Sequence, residues 1–190
     1  MKTAIILAAR REKESEIPYP LKAFAPDLCL LDRTIGILRD LHFSNILIVV
    51  GYKAEMFRKY EADDVTLIVN KDYEFTASMG SLALAKDYVK EDFLLIESDT
   101  FYERRLLEQL AARTEGNCLS MTEESGSGDE CFMETKNGFV TKITKDRHRV
   151  CHFEGEMIGV SRITLDTFEM LVNAWEHASN PYLNYEYLLM

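Results

Sequence analysis

Apolar positions along the chain fall into two patterns. Thr3 to Ala8, residues 45–50 and residues 65–69 are nearly unbroken aliphatic runs, and Phe93-Leu94-Leu95-Ile96 leads into Glu97. Runs of this length predict strands covered on both faces. Between them the apolar spacing becomes helical. Leu31, Ile35, Leu38 and Leu41 predict a helix over 31–41, with Asp32 or an earlier residue as its start signal. Residues 53–60 read as a short helix, 77–89 as a helix capped by Ser78 or Thr76, and 103–113 as another. Repeated strand–helix–strand units imply a largely parallel sheet with helices on both faces and right-handed crossovers. Ligands of such sheets sit beyond the carboxyl ends of the strands.

From Asn117 the pattern changes. Residues 118–121, 130–135, 139–144 and 156–161 read as strands without intervening helices, and Asn137-Gly138 is a hairpin signal. An amphipathic helix over 164–177, a turn at Asn180-Pro181 and a helical tail follow. The stretch from Glu123 to Asp129, with two Gly and two Ser, reads as a mobile loop. No repeat or low-complexity linker interrupts the 190 residues, so the expectation is one α/β domain with a mixed, mostly parallel sheet.

Charge narrows the partners. The formal net charge of −10, from 32 acidic and 22 basic residues, argues against a nucleic-acid polymer but leaves room for one nucleotide in a local pocket. No apolar stretch approaches the roughly 18 residues of a membrane span. The apolar N-terminus runs directly into Arg10, Arg11 and Lys13, which suits a buried strand better than a signal peptide. Cys29, Cys118, Cys131 and Cys151 are scattered, without a CxxC pair or a histidine at ligand spacing. They read as buried thiols of a cytoplasmic protein. His42, His148, His152 and His177 share no spacing and receive no role.

Four stretches carry candidate chemistry. The loop from Arg10 to Lys22 leaves the first strand where phosphates are commonly held, although its charges alone also suit an ordinary solvated loop. Lys22, set between Leu21 and Ala23, is expected to point at an anion. In Glu97-Ser98-Asp99, Asp99 ends a central strand as a hard donor for Mg²⁺, or else caps the following helix. Ser78, Gly80 and Ser81 open a helix whose free N–H groups favour an anion or a polar base edge, or simply cap it. Tyr182 to Tyr187 interleaves aromatics with Glu186, which also suits a tail packed on the core.

In order and spacing, AIILAA, PLKAF and NILIVVGY resemble the entry segments of the nucleotidyltransferases that join a nucleoside triphosphate to a phosphorylated sugar or alcohol. NKDYEFTASMGSLALA, DFLLIESDTFYE, SGDECFMETKNGFVTKITKD and GEMIGVSRIT look closer to one branch, the CTP-dependent enzymes acting on phosphocholine, 2-aminoethylphosphonate and similar compounds. The resemblance covers nearly the whole chain. It implies a Rossmann-like three-layer fold and a Mg²⁺-dependent attack of the acceptor on the α-phosphorus of CTP, releasing pyrophosphate.

Carried over by position, the resemblance makes Lys22, Asp99 and Lys145 catalytic and assigns the metal to Asp99 and Glu186. Leu7, Ala8, Ala9 and Arg10 would meet the nucleotide, Ser78 and Ser81 the cytosine, and Asp129, Glu130 and Tyr185 the acceptor. A quaternary ammonium acceptor would use Tyr182, Tyr185 and Tyr187; a primary amine would use Asp129 or Glu130. The first loop departs from the family. Arg10 and Glu12 stand on the two glycine positions, and Glu14 or Ser15 lies near the family's arginine. Arg10, Arg11 and Lys13 restore positive charge there, against Glu12, Glu14 and Glu16. The branch also continues further past its tyrosine–acid pair than Met190. The glycine-free first loop favours, as the rival reading, a catalytically silent domain of the same fold serving as a nucleotide-binding or regulatory module. A phosphatase is disfavoured because Asp99 lacks a neighbouring acid of the kind a phosphoryl-aspartate mechanism uses.

Overall fold

A computed structural model describes residues 1–12 and 15–190, so the expectations that rest on Lys13 and Glu14 lie outside the described residues. The first aliphatic run forms β1 (Thr3–Ala8). A 3-10 turn at Tyr19–Leu21 and a small hairpin, β2 (Ala23–Ala25) with β3 (Leu28–Cys29), lead into α1 (Leu30–Asp40). Then come β4 (Asn45–Val50), a 3-10 helix at Ala54–Tyr60, β5 (Val65–Val69), α2 (Ser78–Ala83), β6 (Phe93–Glu97) and α3 (Arg104–Ala112). The remainder is β7 (Cys118–Thr122), β8 (Phe132–Lys136), β9 (Phe139–Thr144), β10 (Gly155–Ile163), α4 (Leu165–Glu176) and a 3-10 helix at Tyr185–Leu188.

One eight-stranded sheet carries the order β5-β4-β1-β6-β10-β8-β9, with β7 also paired to β10. β5, β4, β1 and β6 run parallel, while β10 pairs antiparallel with β6, β7 and β8. The alternation explains the double-sided runs. Ala4, Ile6, Ala8, Ile46, Ile48, Leu94 and Ile96 face the helices α1 and α3, whereas Ile5, Leu47, Val49, Phe93 and Leu95 face α2 and α4. Each fully buried Ile or Leu contributes about 1.5–3 kcal/mol, which makes these runs the main source of core stability. The result is the three-layer α/β architecture expected from the sequence.

Several local expectations change. Asp32 does not begin α1; it is the third residue of a capping box in which Cys29 is the cap, its carboxylate accepting from the Cys29 backbone N–H at 3.1 Å. The short helix expected over 53–60 is present, as a 3-10 helix at Ala54–Tyr60. The helix expected over 77–89 stops at Ala83 and continues as turns closed by Leu84 N–H to Ser81 and Ala85 N–H to Leu82. Those turns still bury Ala85 and Val89, so a tighter spiral satisfies the same apolar spacing. Its cap is Ala77, because the Ser78 and Thr76 hydroxyls bond elsewhere. The cap of α3 is Glu103, so Asp99 does not serve it. All four cysteines are free, but only Cys29 and Cys131 are buried; Cys118 is half-buried and Cys151 is exposed. Among the described residues no helix is long and apolar enough to cross a membrane.

Candidate active site

β1 lies between β4 and β6, so the chain leaves it toward one edge for β4 and β5 and toward the other for β6. At such a switch point the loops beyond the strand ends part and leave a crevice. Leu7 pairs in register with Glu97, and the Ser98 N–H donates to the Leu7 carbonyl at 3.1 Å, which locks the two strand ends together. Above them opens a cavity of about 560 Å³. Leu7, Ala9 and Arg10 from the first strand and its loop, Ser78 and Ser81 from α2, Asp99 beyond β6, Asp129, Lys145 and Glu186 all line it.

The acidic side of the cavity rests on an unusual packing contact. Glu97 lies across Gly159 of β10, where a Cβ would come within 2.6 Å of the Glu97 Cβ, Cγ and Cδ atoms. Only glycine leaves room for the carboxylate to cross that strand. Burial pushes the Glu97 carboxyl up to about 7, and the negative charges of Glu186 and Asp99 add to the shift. Burial likewise raises Glu186, whose carboxylate accepts from the Ser78 hydroxyl at 3.3 Å.

The opposite side is cationic, but its cations are already paired. Lys145 Nζ donates to Asp129 Oδ1 at 2.7 Å, and Arg10 lies 3.8 Å from Asp129 Oδ2. The hydrogen bond from Lys145 holds Asp129 below the usual carboxylate range. Arg11 pairs with Glu74 at 3.6 Å. Lys22 points at an anion as expected, but that anion is Glu12, at 2.5 Å.

The start of α2 is occupied from within. Ala77 N–H donates to the Pro181 carbonyl at 3.3 Å and Met79 N–H to the Leu183 carbonyl at 3.2 Å. Ser78 N–H meets Asn184 Oδ1 at 3.4 Å, and the Tyr185 N–H donates to Ser78 Oγ at 3.1 Å. The free N–H groups expected there are therefore spent on the tail, and Ser78 anchors Glu186 and Asn184.

Four expected residues lie off the cavity wall. Ala8 turns to the α1 side of the sheet, as strand alternation requires. Lys22 is held outside by Glu12. Glu130 accepts from the Gly128 N–H at 3.0 Å. Tyr185 is 0% exposed and packs in the core beneath the site, its hydroxyl facing the Glu97 carboxylate. Tyr182 and Tyr187 are exposed and lie off this cavity, so the three tyrosines form no aromatic cage at it. The aromatic residue at the cavity is Tyr73. Arg11, expected to restore charge to the first loop, lines it too, and Glu97, Glu74, Thr76 and Asn184 also line it without a site role expected from sequence. Glu97 carried a signal: the first charge after a buried run, two residues before Asp99. The others had none stronger than their nearness to a chosen neighbour.

Among the described residues no three His, Cys, Asp or Glu side chains meet as a metal cage. Mg²⁺ is commonly held by one or two carboxylates plus substrate phosphates, and keeps waters besides. Asp99 and Glu186 are hard oxygen donors on one cavity. The donor set fits a magnesium ion that arrives with a triphosphate.

No protein-family model matches the chain. It is 30% identical over 127 residues to the CMP-5'-(3-aminopropyl)phosphonate synthase of Streptomyces rubellomurinus, covering 62% of this chain and 20% of that protein. It is 38% identical over 80 residues to the choline-phosphate cytidylyltransferase of Haemophilus influenzae, covering 40% of this chain and 33% of that protein. The matched segments thus span only a fifth to a third of these curated relatives. Among solved structures, the inositol-1-phosphate CTP transferase from T. maritima superposes with a TM-score of 0.78 at 19% identity, over 100% of this chain and 80% of that one. The fold is that of the nucleotidyltransferases. The nucleotidyltransferase resemblance read from the sequence is borne out, including its lean toward the CTP-dependent branch.

Proposed function

We propose that this chain transfers CMP from CTP to a small phosphorylated or phosphonate alcohol or amine and releases pyrophosphate. The observation that carries the reading is the meeting of Asp99 and Glu186, from distant stretches, with Lys145 around one switch-point cavity. An acceptor oxygen attacks the α-phosphorus as the bond to the pyrophosphate oxygen breaks. This needs positioning and charge neutralisation more than covalent help from the protein. Asp99 and Glu186 would hold a magnesium ion, which supplies neutralisation of phosphate oxygens when bound. Lys145 exchanges Asp129 for the acceptor anion, while Arg10 and Arg11 meet the triphosphate. Leu7 and Ala9 form the floor. The names of the two curated relatives support CTP and a phosphonate or phosphocholine-like acceptor. The four free thiols fit the reducing cytoplasm.

Pyrophosphate release with CTP, Mg²⁺ and either phosphocholine or 2-aminoethylphosphonate tests the reading. Release above the acceptor-free control is expected with one of them, and none with any triphosphate or acceptor rejects it.

A second reading, the catalytically silent module, is favoured by one observation: Glu12 stands on a glycine position of the family and neutralises Lys22. Under it, CTP raises the melting temperature while no pyrophosphate appears, and Glu12→Gln strengthens CTP binding by freeing Lys22.

A further inference from the structure

Glu186 is 8% exposed and lines the cavity. Among the described residues it forms no ion pair, since Lys145 of the same cavity is spent on Asp129 at 2.7 Å. The one side-chain hydrogen bond to its carboxylate among the described residues comes from Ser78 Oγ, at 3.3 Å. A buried carboxylate with so little compensation is costly, and what holds it there matters. The Ser78 hydroxyl is used twice. Its oxygen accepts the Tyr185 N–H at 3.1 Å, so one atom grips both the backbone just before Glu186 and the carboxylate of Glu186 itself. Its single proton faces two acceptors, Glu186 Oε2 and Asn184 Oδ1, both at 3.3 Å. Asn184 Oδ1 already receives the Ser78 backbone N–H at 3.4 Å, whereas Glu186 has no other side-chain donor among the described residues. A hydrogen bond to an ionised carboxylate is also roughly twice as strong as one to a neutral amide. The proton therefore goes to Glu186.

We propose that Ser78 is a positioning residue for a divalent-cation site: its hydroxyl fixes the Glu186 carboxylate on the cavity wall and is spent in doing so. The inference rests on the reading of Glu186 as a metal carboxylate and adds to it the group that holds the ligand in place. Outer partners of this kind orient metal-binding carboxylates, and losing one commonly lowers metal affinity by about 10–100-fold. Ser78 thus serves the carboxylate from behind rather than meeting a bound molecule itself.

Calorimetric titration of the intact chain with Mn²⁺, which takes the same hard oxygen ligands as Mg²⁺, reads the site without turnover. Glu186→Gln marks the binding that belongs to this carboxylate. Ser78→Ala should weaken that binding by about tenfold or more, and Ser78→Thr, which keeps the hydroxyl, by less than about threefold. Asn184→Ala is the control for a role in docking the tail alone. It cuts a bond between the tail and α2 but leaves the Ser78 proton on Glu186. Its Mn²⁺ affinity should therefore stay within about threefold of wild type, even though it unfolds at lower urea. Wild-type affinity in Ser78→Ala overturns the inference, and so does an equal loss in Ser78→Ala and Asn184→Ala. Should Ser78→Ala not fold, a loss of about tenfold in Asn184→Ala or in Ser78→Thr still overturns it. A loss in Glu186→Gln with none in Ser78→Ala leaves the metal reading standing. Unchanged Mn²⁺ binding in Glu186→Gln overturns that reading and this inference with it.

Discussion

The two walls of the cavity are built from opposite materials. On the side of Arg10, Arg11, Asp129 and Lys145 the groups are charged, largely exposed and joined by ion pairs. On the side of Asn70, Ser78, Ser81 and Asn184 they are neutral, more deeply set and joined by hydrogen bonds that use nearly every donor and acceptor. Exposed ion pairs contribute about 0–1 kcal/mol, so a competing anion would displace Asp129 from Lys145 at little cost. A buried hydrogen-bond network has no such freedom, since any broken member is left without water. One wall is suited to exchanging partners, and the other to holding a fixed shape.

That contrast can be broken in order of expected effect. Asp99→Ala should reduce pyrophosphate release by about a thousandfold while the melting temperature barely moves, because the residue lies on a loop and contributes little packing. Gly159→Ala places a methyl group within 2.6 Å of Glu97. Overpacking of about 1–3 kcal/mol should then lower the melting temperature by about 2–10 °C, with activity falling alongside. Asn184→Ala removes the acceptor of the Ser78 N–H and hydroxyl, so urea unfolding should show a loss of about 1 kcal/mol.

The smallest effect belongs to the ionic wall and depends on pH. Lys145 holds the folded carboxyl of Asp129 below its usual range. Its stabilisation is therefore complete above the ordinary carboxylate pKa and disappears as pH falls through the folded value. Asp129→Asn should flatten the acid end of the stability–pH curve by less than about 0.5 kcal/mol, since the pair is exposed and screened. A larger change would place this wall among the rigid parts of the molecule.

How much of this was legible in sequence follows from the range of the forces. The parallel strands were readable because Ile5, Ile48 and Leu95 are covered whichever face they take, and continuous apolarity records that locally. Asp99 was readable because a strand end fixes its place in the crevice. The length of α2 was not, because Ala85 and Val89 are buried equally well in a helix or in the tighter turns that replace it. The partner of Lys22 was hidden because its nearest anion is a side chain ten residues earlier in an irregular loop. Tyr185 looked like an acceptor contact because aromatic residues suit cations and cores alike; only packing separates the two uses.

The bonds from the tail to α2 tie together residues more than a hundred positions apart. Closing so long a loop is entropically expensive, and its reward comes only when both ends are in place. During synthesis the central sheet can therefore assemble well before this wall of the cavity does. For an interval, a nascent molecule would possess its scaffold of strands and helices while the crevice above β1 and β6 stood unfinished.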